Sequence, residues 1–382
     1  MVALFDACGD LCEHRGDGRH ESRSTVRLPM SKSTTTMKIT NVFAGQPIAE
    51  SSPDDWRTTL GQILVGVETD AGLTGYGIGG GGAAGIHVIR AVLRELLVGQ
   101  DPDRIEALWD EMYTATLAFG RKGIAVMAIS GVDLALWDLR GKAAGKPVAE
   151  LLGGNVGKPM PTYLTVWNEV PPEVAASNQA VKLHVEEAEG DDRVEVVVRA
   201  VRRAREVIGP QRELMIDAWM RWDAETALAV ADRLVEVNLS WIEEPLPPDD
   251  FAGYALLSER SPIPIAGGEH EFTAKAFGEI INRRLHQVLQ PDVCWCGGMT
   301  QLIEIYRLAK EAGLRICPHR GCELWGLHGL AGLDENPLAE SGRPWMTWVG
   351  GQPAVINDTI TLTDAPGFGA EFSPATLQTL TT

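Results

Sequence analysis

From about residue 158 onwards, the chain alternates short apolar segments with amphipathic helical segments. The apolar segments are six or seven residues long, and helical patterns such as residues 192–209 and 298–313 separate them. This alternation is what successive βα units of a parallel sheet produce. It predicts an α/β fold with a (β/α) barrel over residues 155–345.

The region before the barrel has a different pattern. Residues 1–36 are polar and charged without periodicity, which predicts a disordered leader or a start codon placed too early. From Leu60 to Gly77, apolar and polar residues alternate around Asp70, Ala71 and Gly72, which indicates a hairpin. Helical patterns follow it. Residues 37–154 are therefore predicted to form a compact α+β domain.

Charge and composition exclude several classes of function. Lys and Arg number 34 against 52 Asp and Glu, a net charge of −18, which disfavours nucleic-acid and anionic membrane partners. No run of 18 apolar residues and no secretory pattern occurs. The six cysteines are scattered, as is usual for reduced thiols. We expect a soluble cytoplasmic protein with a small-molecule ligand.

Glycines 77, 79 and 82 fit the dinucleotide-binding pattern GxGxxG and precede a helix. The preceding strand belongs to the predicted hairpin, however, whereas that pattern requires the first strand of a parallel βαβ unit. A glycine-rich loop that folds over a ligand is the other interpretation.

Each predicted barrel strand ends on an ionisable residue, and successive members are 23 to 35 residues apart. One βα unit has roughly that length, so these residues are expected at equivalent positions around one mouth of the barrel, where such barrels build their active sites. The set is Lys182, Asp217, Glu243, Glu269, Asp292 and His319.

The order of these residues suggests their chemistry. Asp217, Glu243 and Glu269 would repel one another unless a cation joined them, and hard oxygen ligands suit Mg²⁺. A carboxylate at Asp292 would orient the imidazole of His319 as a general base. Lys182, across the ring, could neutralise an anionic substrate group. Together they suit abstraction of a proton α to a carboxylate.

These residues lie in segments that resemble the enolase superfamily, in the branch of mandelate racemase and the acid-sugar dehydratases. The segments are "GVDLALWDLRGKAAGKPVAELLGG", "MIDAW", "WIEEPLPPDD", "GGEHE", "QPDVCWCGG", "CPHRGCELWGLH" and "PGFGAEF". Within the branch, the chain is most similar to the L-rhamnonate dehydratases. The resemblance implies that residues 346–382 return to residues 37–154 to complete a capping domain, and that the protein forms homo-oligomers.

The resemblance also implies roles for individual residues. Asp217, Glu243 and Glu269 would bind Mg²⁺, His319 paired with Asp292 would be the acid and base, and His270 would contact the substrate. The base removes the proton α to the carboxylate, the β-hydroxyl leaves, and the enol becomes a 2-keto-3-deoxy acid. One histidine can serve both steps if the elimination is syn.

Two features depart from the patterns of the branch. Racemases carry Lys-x-Lys where this chain has Lys182-Leu183-His184, so His184, on the same strand face as Lys182, either replaces the second base or packs beside the metal ligands. Glu323, four residues after His319, is a candidate for the glutamate that other enzymes of the branch place near the substrate carboxylate. Trp325 and His328 are expected to line the same wall.

Four alternatives to a dehydratase stay open at this stage. The same enolate would serve a racemase, an epimerase or a cycloisomerase of a sugar acid, and a relative that binds the sugar acid without turnover is a further possibility.

Glu271, two residues after Glu269, is predicted to belong to the first turn of the next helix rather than to the metal ligands.

Overall fold

The structure, a computed structural model, describes residues 37–47, 60–185, 190, 192–342 and 346–380. The predicted leader at residues 1–36 lies outside the described residues. None of the helices in the described ranges has the length and apolar character needed to cross a membrane.

The N-terminal part of the described chain is a three-stranded antiparallel sheet followed by helices. Its strands pair in the order β1, β2, β3, and β2 and β3 form the predicted hairpin. The elements are β1 (Ile39–Gly45), β2 (Ile63–Thr69), β3 (Thr74–Gly79), α1 (Gly82–Val88), a π-helical turn (Ile89–Leu93), α2 (Arg94–Leu97), α3 (Ile105–Gly120), α4 (Ile124–Ala144) and α5 (Val148–Leu151).

The glycines of β3 serve close packing, not dinucleotide binding. The strand is antiparallel to β2, which rules out the parallel βαβ unit that the dinucleotide pattern requires. A Cβ atom built on Gly77 would lie 2.2 Å from the carbonyl oxygen of Gly131 in α4. Only a residue without a side chain allows β3 to approach the helix so closely.

The predicted barrel of the α/β class is confirmed. Eight parallel strands pair in the order β10, β9, β8, β7, β6, β5, β4, β11, and β13 adds antiparallel to β4. They are β4 (Met160–Trp167), β5 (Ala180–His184), β6 (Glu213–Asp217), β7 (Ile242–Glu243), β8 (Ile265–Gly267), β9 (Val288–Leu289), β10 (Arg315–Ile316), β11 (Ala339–Ser341) and β13 (Thr359–Ile360).

Helices separate these strands, as the sequence pattern predicts. They are α6 (Pro172–Ser177), α7 (Arg193–Ile208), α8 (Ala224–Arg233), a 3-10 turn (Val235–Val237), α9 (Phe251–Arg260), α10 (Thr273–Asn282), α11 (Gly298–Ala312) and α12 (Leu324–Leu333). Asp223 caps α8 and Asp250 caps α9, since each side chain accepts a hydrogen bond from a backbone N–H of the first turn.

The interior of the barrel is closed by one apolar layer. It contains one buried residue from each of the eight βα units, and their side chains form a single cluster: Tyr163, Ala180, Met215, Trp241, Ala266, Val288, Cys317 and Leu338. Side chains two residues further along a strand point to the same face. The next inward positions therefore lie directly above an apolar floor.

The C-terminal segment returns to the N-terminal part of the chain. It contains β12 (Val349–Gly350), β14 (Glu371–Phe372) and α13 (Pro374–Gln378), and β12 pairs with β14. The backbone N–H of Phe368 donates to Asp138 of α4, and the ring of Phe372 lies 5.1 Å from that of Tyr76 in β3. These contacts complete the capping domain as expected.

Candidate active site

A layer of buried polar side chains lies on the apolar floor of the barrel. Lys182 is at its centre, with its Nζ 2.5 Å from Glu243 Oε1, 3.0 Å from Glu340 Oε1 and 3.4 Å from Asp217 Oδ2. Gln290 donates to Glu243, and Thr165 donates to Glu340. We call Thr165, Lys182, Asp217, Glu243, Gln290 and Glu340 the polar layer.

The structure places Lys182 below the mouth of the barrel, not at the strand end that the sequence pattern predicts. Strand β5 ends at His184, not at Lys182, and the lysine side chain is fully buried beneath the mouth. Its charge offsets the protein's own acids. Even so, the pKa of Glu243 is raised to about 8. Burial is the main cause, and repulsion from Asp217, Glu340 and Glu269 adds to it, so that the two together outweigh the attraction of Lys182.

Glu340 is a member of the polar layer that sequence reasoning missed. Leu338 points into the floor, and Glu340 stands two residues later, which is the spacing of Ala180 to Lys182 and of Met215 to Asp217. The carboxylate of Glu340 also accepts a hydrogen bond from the backbone N–H of Arg320. Extending the repeat to the eighth βα unit would have found it.

His184 lies beside Asp217. This position agrees with the second of the two interpretations, in which His184 packs beside the metal ligands. The Cα atoms of the two residues are partners in neighbouring strands, and His184 Nε2 lies 2.9 Å from Asp217 Oδ2. The imidazole also stacks on Trp167 at 5.1 Å. Its ring nitrogen is therefore engaged by a carboxylate at the edge of the polar layer.

The expected common register holds for Asp217 and Glu243 but not for Glu269. The first two are paired residues at the ends of β6 and β7, whereas β8 ends at Gly267 and Glu269 follows in a turn. The turn directs both Glu269 and His270 into the site, although strand alternation would separate them. His270 Nδ1 lies 2.8 Å from Glu244 Oε2 and 3.7 Å from Glu269 Oε1.

Glu244 is a second residue that the sequence reasoning did not single out. Burial raises the pKa of Glu244, and repulsion from Glu269 adds to it. Burial opposes protonation of His270, but the hydrogen bond and charge of Glu244 outweigh it and raise the pKa of His270 to about 9. His270 is thus a cation at neutral pH, held at the rim by Glu244.

The predicted pairing of Asp292 with His319 is present. Asp292 Oδ2 lies 2.8 Å from His319 Nδ1, and Nε2 on the far side of the imidazole lies 3.6 Å from Glu269 Oε2. Burial opposes ionisation of Asp292, yet Arg320 and His319 hold its pKa below the ordinary value. The carboxylate is charged, so it orients the imidazole.

Glu323 and Trp325 line one cavity, and Glu323 lies beside a cation. Glu323 immediately precedes α12, and its carboxylate lies 3.4 Å from the guanidinium of Arg320. Both residues line a cavity of about 570 Å³ together with Arg320, Glu340 and apolar side chains of the C-terminal segment.

The prediction that His328 lines the substrate wall is wrong. His328 is buried, its Nδ1 accepts a hydrogen bond from the backbone N–H of Ala149, and its Nε2 lies 3.2 Å from the carbonyl oxygen of Phe368. Burial lowers the pKa of His328 to about 4. The residue is a neutral link between α5, α12 and the C-terminal segment.

Glu271 is not in the first turn of α10, which begins at Thr273. Its buried carboxylate lies 2.7 Å from Lys122 Nζ, in the loop between α3 and α4. It also accepts a hydrogen bond from the backbone N–H of Phe272. The residue joins the turn of Glu269 to the capping domain, which agrees with its exclusion from the metal ligands.

The donor set fits a divalent metal ion. Asp217, Glu243, Glu244 and Glu269 are each at most 3% exposed, and burial with mutual repulsion raises the pKa of two of them. Carboxylate oxygens of Glu244 and Glu269 lie within 4.8 Å of each other, next to His270. Buried carboxylates in such a cluster are the hard oxygen ligands that Mg²⁺ prefers, and its charge would relieve their repulsion.

Comparisons with known proteins agree with this architecture. The family model "Mandelate racemase / muconate lactonizing enzyme, N-terminal domain" matches residues 46–153, and the model "Enolase C-terminal domain-like" matches residues 172–376. The L-rhamnonate dehydratase of Saccharopolyspora erythraea is 35% identical over 328 residues, which are 82% of this chain and 84% of that protein.

Solved structures share the fold over nearly the whole chain. Rhamnonate dehydratase from Gibberella zeae complexed with Mg has a TM-score of 0.80 at 26% identity, with 91% of this chain and 97% of that chain covered. The 3,6-anhydro-D-galactonate cycloisomerase from Zobellia galactanivorans has a TM-score of 0.79 at 27% identity, with 90% and 99% covered. The chain is an enzyme of the enolase superfamily and belongs to the mandelate racemase and muconate lactonizing enzyme family.

Proposed function

We propose that this enzyme is a Mg²⁺-dependent acid-sugar dehydratase that acts on a six-carbon aldonate, as the L-rhamnonate dehydratases do. The observation that carries the proposal is the pair Asp292 and His319, with His319 Nε2 3.6 Å from Glu269 Oε2. An imidazole oriented by a carboxylate, beside a cluster of buried acids, suits abstraction of a proton α to a carboxylate.

Asp217, Glu243 and Glu269 would hold the metal ion, with Glu244 and His270 next to them. When bound, Mg²⁺ supplies positive charge that stabilises the enolate formed from the substrate carboxylate. Lys182 keeps the carboxylates of Asp217 and Glu243 in place from below. The imidazolium of His270 adds a second positive charge at the rim, where an anionic sugar acid would enter.

The reaction uses His319 twice. Its Nε2 takes the proton α to the carboxylate, while Asp292 accepts the hydrogen bond of Nδ1–H and stabilises the imidazolium. In a syn elimination the same imidazolium returns the proton to the β-hydroxyl, which leaves as water. The resulting enol tautomerises to a 2-keto-3-deoxy sugar acid.

A racemase, epimerase or cycloisomerase would form the same enolate, and the fold likeness to a cycloisomerase keeps that alternative. Two-base racemisation needs a second free base across the substrate. His184 Nε2 is 2.9 Å from Asp217 Oδ2 and its ring stacks on Trp167, so this histidine is better suited to holding Asp217 than to exchanging protons. This favours chemistry with one base.

The proposal is tested by incubating the enzyme and Mg²⁺ with a panel of aldonates and aldarates and trapping 2-keto products with semicarbazide. We expect a 2-keto-3-deoxy acid from a six-carbon aldonate. Exchange of the α-proton with solvent deuterium without any keto acid would show racemisation or epimerisation instead. Binding of a panel acid with neither exchange nor product would indicate a relative that does not turn over.

His319→Asn is expected to abolish product formation, because asparagine cannot accept the α-proton. Its binding of Mg²⁺, measured by calorimetry, should stay within about threefold of the unsubstituted enzyme, since His319 is not among the proposed ligands. The exposed His87, replaced by asparagine, serves as the control with unchanged activity. Turnover by His319→Asn would mean that another group is the base.

A further inference from the structure

Arg320 is bound to the carboxylate that orients His319. Its Nε donates to Asp292 Oδ2 at 2.9 Å, and its second terminal nitrogen donates to Oδ1 at 3.2 Å. The side chain is 2% exposed. Asp292 therefore accepts hydrogen bonds from Arg320, from His319 Nδ1 at 2.8 Å and from the backbone N–H of Cys294 at 2.7 Å.

An unusual backbone conformation makes this contact possible. Consecutive residues in extended backbone point in opposite directions, so His319 and Arg320 should not reach one carboxylate. Strand β10 ends at Ile316, and Arg320 has a φ of 54°, in the left-handed region that side chains other than glycine seldom adopt. The turn brings the guanidinium back to Asp292, and the N–H of Arg320 binds Glu340.

The guanidinium is itself held on its remaining sides. Its other terminal nitrogen lies 3.4 Å from the carboxylate of Glu323, and its central carbon lies 5.6 Å from the ring of Trp295. The ring of Trp295 is in turn 5.6 Å from the imidazole of His319. Arginine keeps its proton under all ordinary conditions, and its planar fork matches both carboxylate oxygens. A charge that cannot be lost thus fixes the plane and the ionisation of Asp292.

We propose that Arg320 is a positioning residue for the base, with Arg320, Asp292 and His319 acting as one chain of hydrogen bonds. Arg320 holds the Asp292 carboxylate where it accepts the Nδ1–H of His319. The lone pair is thereby kept on Nε2, the nitrogen that faces the site of reaction. This inference rests on the proposed function only in taking His319 as the base.

The first measurement does not depend on the substrate. Histidine labelled with ¹⁵N reports the tautomer of each imidazole at one fixed pH, and the signal of His319 is identified by its absence from His319→Asn. We expect the Nδ1–H tautomer in the unsubstituted enzyme and a mixture of tautomers in Arg320→Gln. An unchanged His319 signal in Arg320→Gln would overturn the proposal.

The second measurement is kinetic. Residues that orient a functional group through a hydrogen bond typically contribute about 10- to 100-fold to activity, so kcat of Arg320→Gln should fall by that factor. KM and the Mg²⁺ affinity should change less than about threefold. A loss of Mg²⁺ binding equal to the loss of kcat would overturn the proposal, because Arg320 would then support the metal site or the fold.

Two further variants keep the test decisive. Arg320→Lys retains the charge but not the planar fork of the guanidinium. We therefore expect a smaller loss of kcat, and a His319 signal between those of the unsubstituted enzyme and Arg320→Gln. If Arg320→Gln does not fold, Arg320→Lys decides the question by the same two measurements. Arg315→Gln, which removes a partly exposed arginine 3.8 Å from Glu213, is the control and should change neither readout. If no aldonate is turned over even by the unsubstituted enzyme, the proposed function fails while the tautomer measurement still decides the role of Arg320.

Discussion

At the residue scale, His270 and His328 show how the partners of a buried histidine decide its charge. His270 faces the carboxylates of Glu244 and Glu269, which raise its pKa to about 9. His328 meets only backbone groups through its two nitrogens, and burial lowers its pKa to about 4. The first is a cation at the mouth of the site, and the second is a neutral structural link.

His328 should make the free energy of unfolding depend on pH. The unfolded chain takes up a proton at the ordinary pKa of 6.5, whereas the folded chain resists until about pH 4. Stability from this group is therefore complete above pH 6.5 and is lost as the pH falls towards 4, by roughly 3 kcal/mol.

The variant that tests this is His328→Gln, compared by urea denaturation between pH 4.5 and 7.5 without metal. Glutamine does not titrate, so the variant should be less stable at pH 7.5 but should lose less stability on acidification than the unsubstituted protein. The exposed His87→Gln is the control, and it should change neither the free energy of unfolding nor its dependence on pH. If the free energy of unfolding depended on pH equally in His328→Gln and in the unsubstituted protein, the lowered pKa of His328 would be contradicted.

At the scale of elements, the contact of β3 with α4 depends on glycines. A Cβ on Gly77 would lie 2.2 Å from Gly131 O and 2.5 Å from Ala135 N, both of them backbone atoms that cannot turn away. Gly77→Ala should therefore separate strand and helix and lower the free energy of unfolding by about 1–3 kcal/mol or more.

Gly278→Ala is the matched control for that substitution. Gly278 lies inside α10, where an added Cβ would meet its nearest atom, on Leu308, at 3.8 Å. There the methyl group fits, and alanine should stabilise the helix by about 0.5–1 kcal/mol. Urea denaturation of both variants measures the difference, and a Gly77→Ala protein as stable as Gly278→Ala would refute the packing argument.

The elements also show which features can be predicted from sequence. Period and spacing give the hairpin, the βα units and the inward positions of Asp217 and Glu243, because these follow from regular strand geometry. Glu269 and Arg320 lie beyond the ends of β8 and β10, where the turn conformation decides the direction of a side chain. No pattern of apolar residues encodes that, so neither the register of Glu269 nor the contact of Arg320 with Asp292 could be foreseen.

The burial of Lys182 has a similar explanation. Its place on the inner face of β5 follows from alternation, but its depth depends on where the strand ends. Strand β5 continues two residues past Lys182 to His184. The lysine therefore belongs to the layer below the mouth, where its charge compensates the carboxylates of Glu243 and Glu340.

At the scale of the whole molecule, the pair Lys122 and Glu271 joins the capping domain to the barrel. Glu271 is 2% exposed and its two oxygens lie 2.7 Å and 2.9 Å from Lys122 Nζ, while the lysine side chain is one-third exposed. Removing the cation leaves a carboxylate buried without its charge partner, which costs more than removing both charges. Because Glu271 is two residues from Glu269, the pair also steadies the turn at the acidic cluster.

A double-mutant cycle of Lys122→Met and Glu271→Gln should therefore show a coupling free energy of about 1–3 kcal/mol, with the single Lys122→Met variant less stable than the double variant. The exposed pair Lys310 and Glu335, 2.9 Å apart with side chains at least 80% exposed, provides the comparison, and its coupling should stay below about 1 kcal/mol because solvent screens it. Both cycles are measured by urea denaturation at one ionic strength. Equal couplings would mean that Lys122 is only a surface charge that contributes little to holding the two domains together.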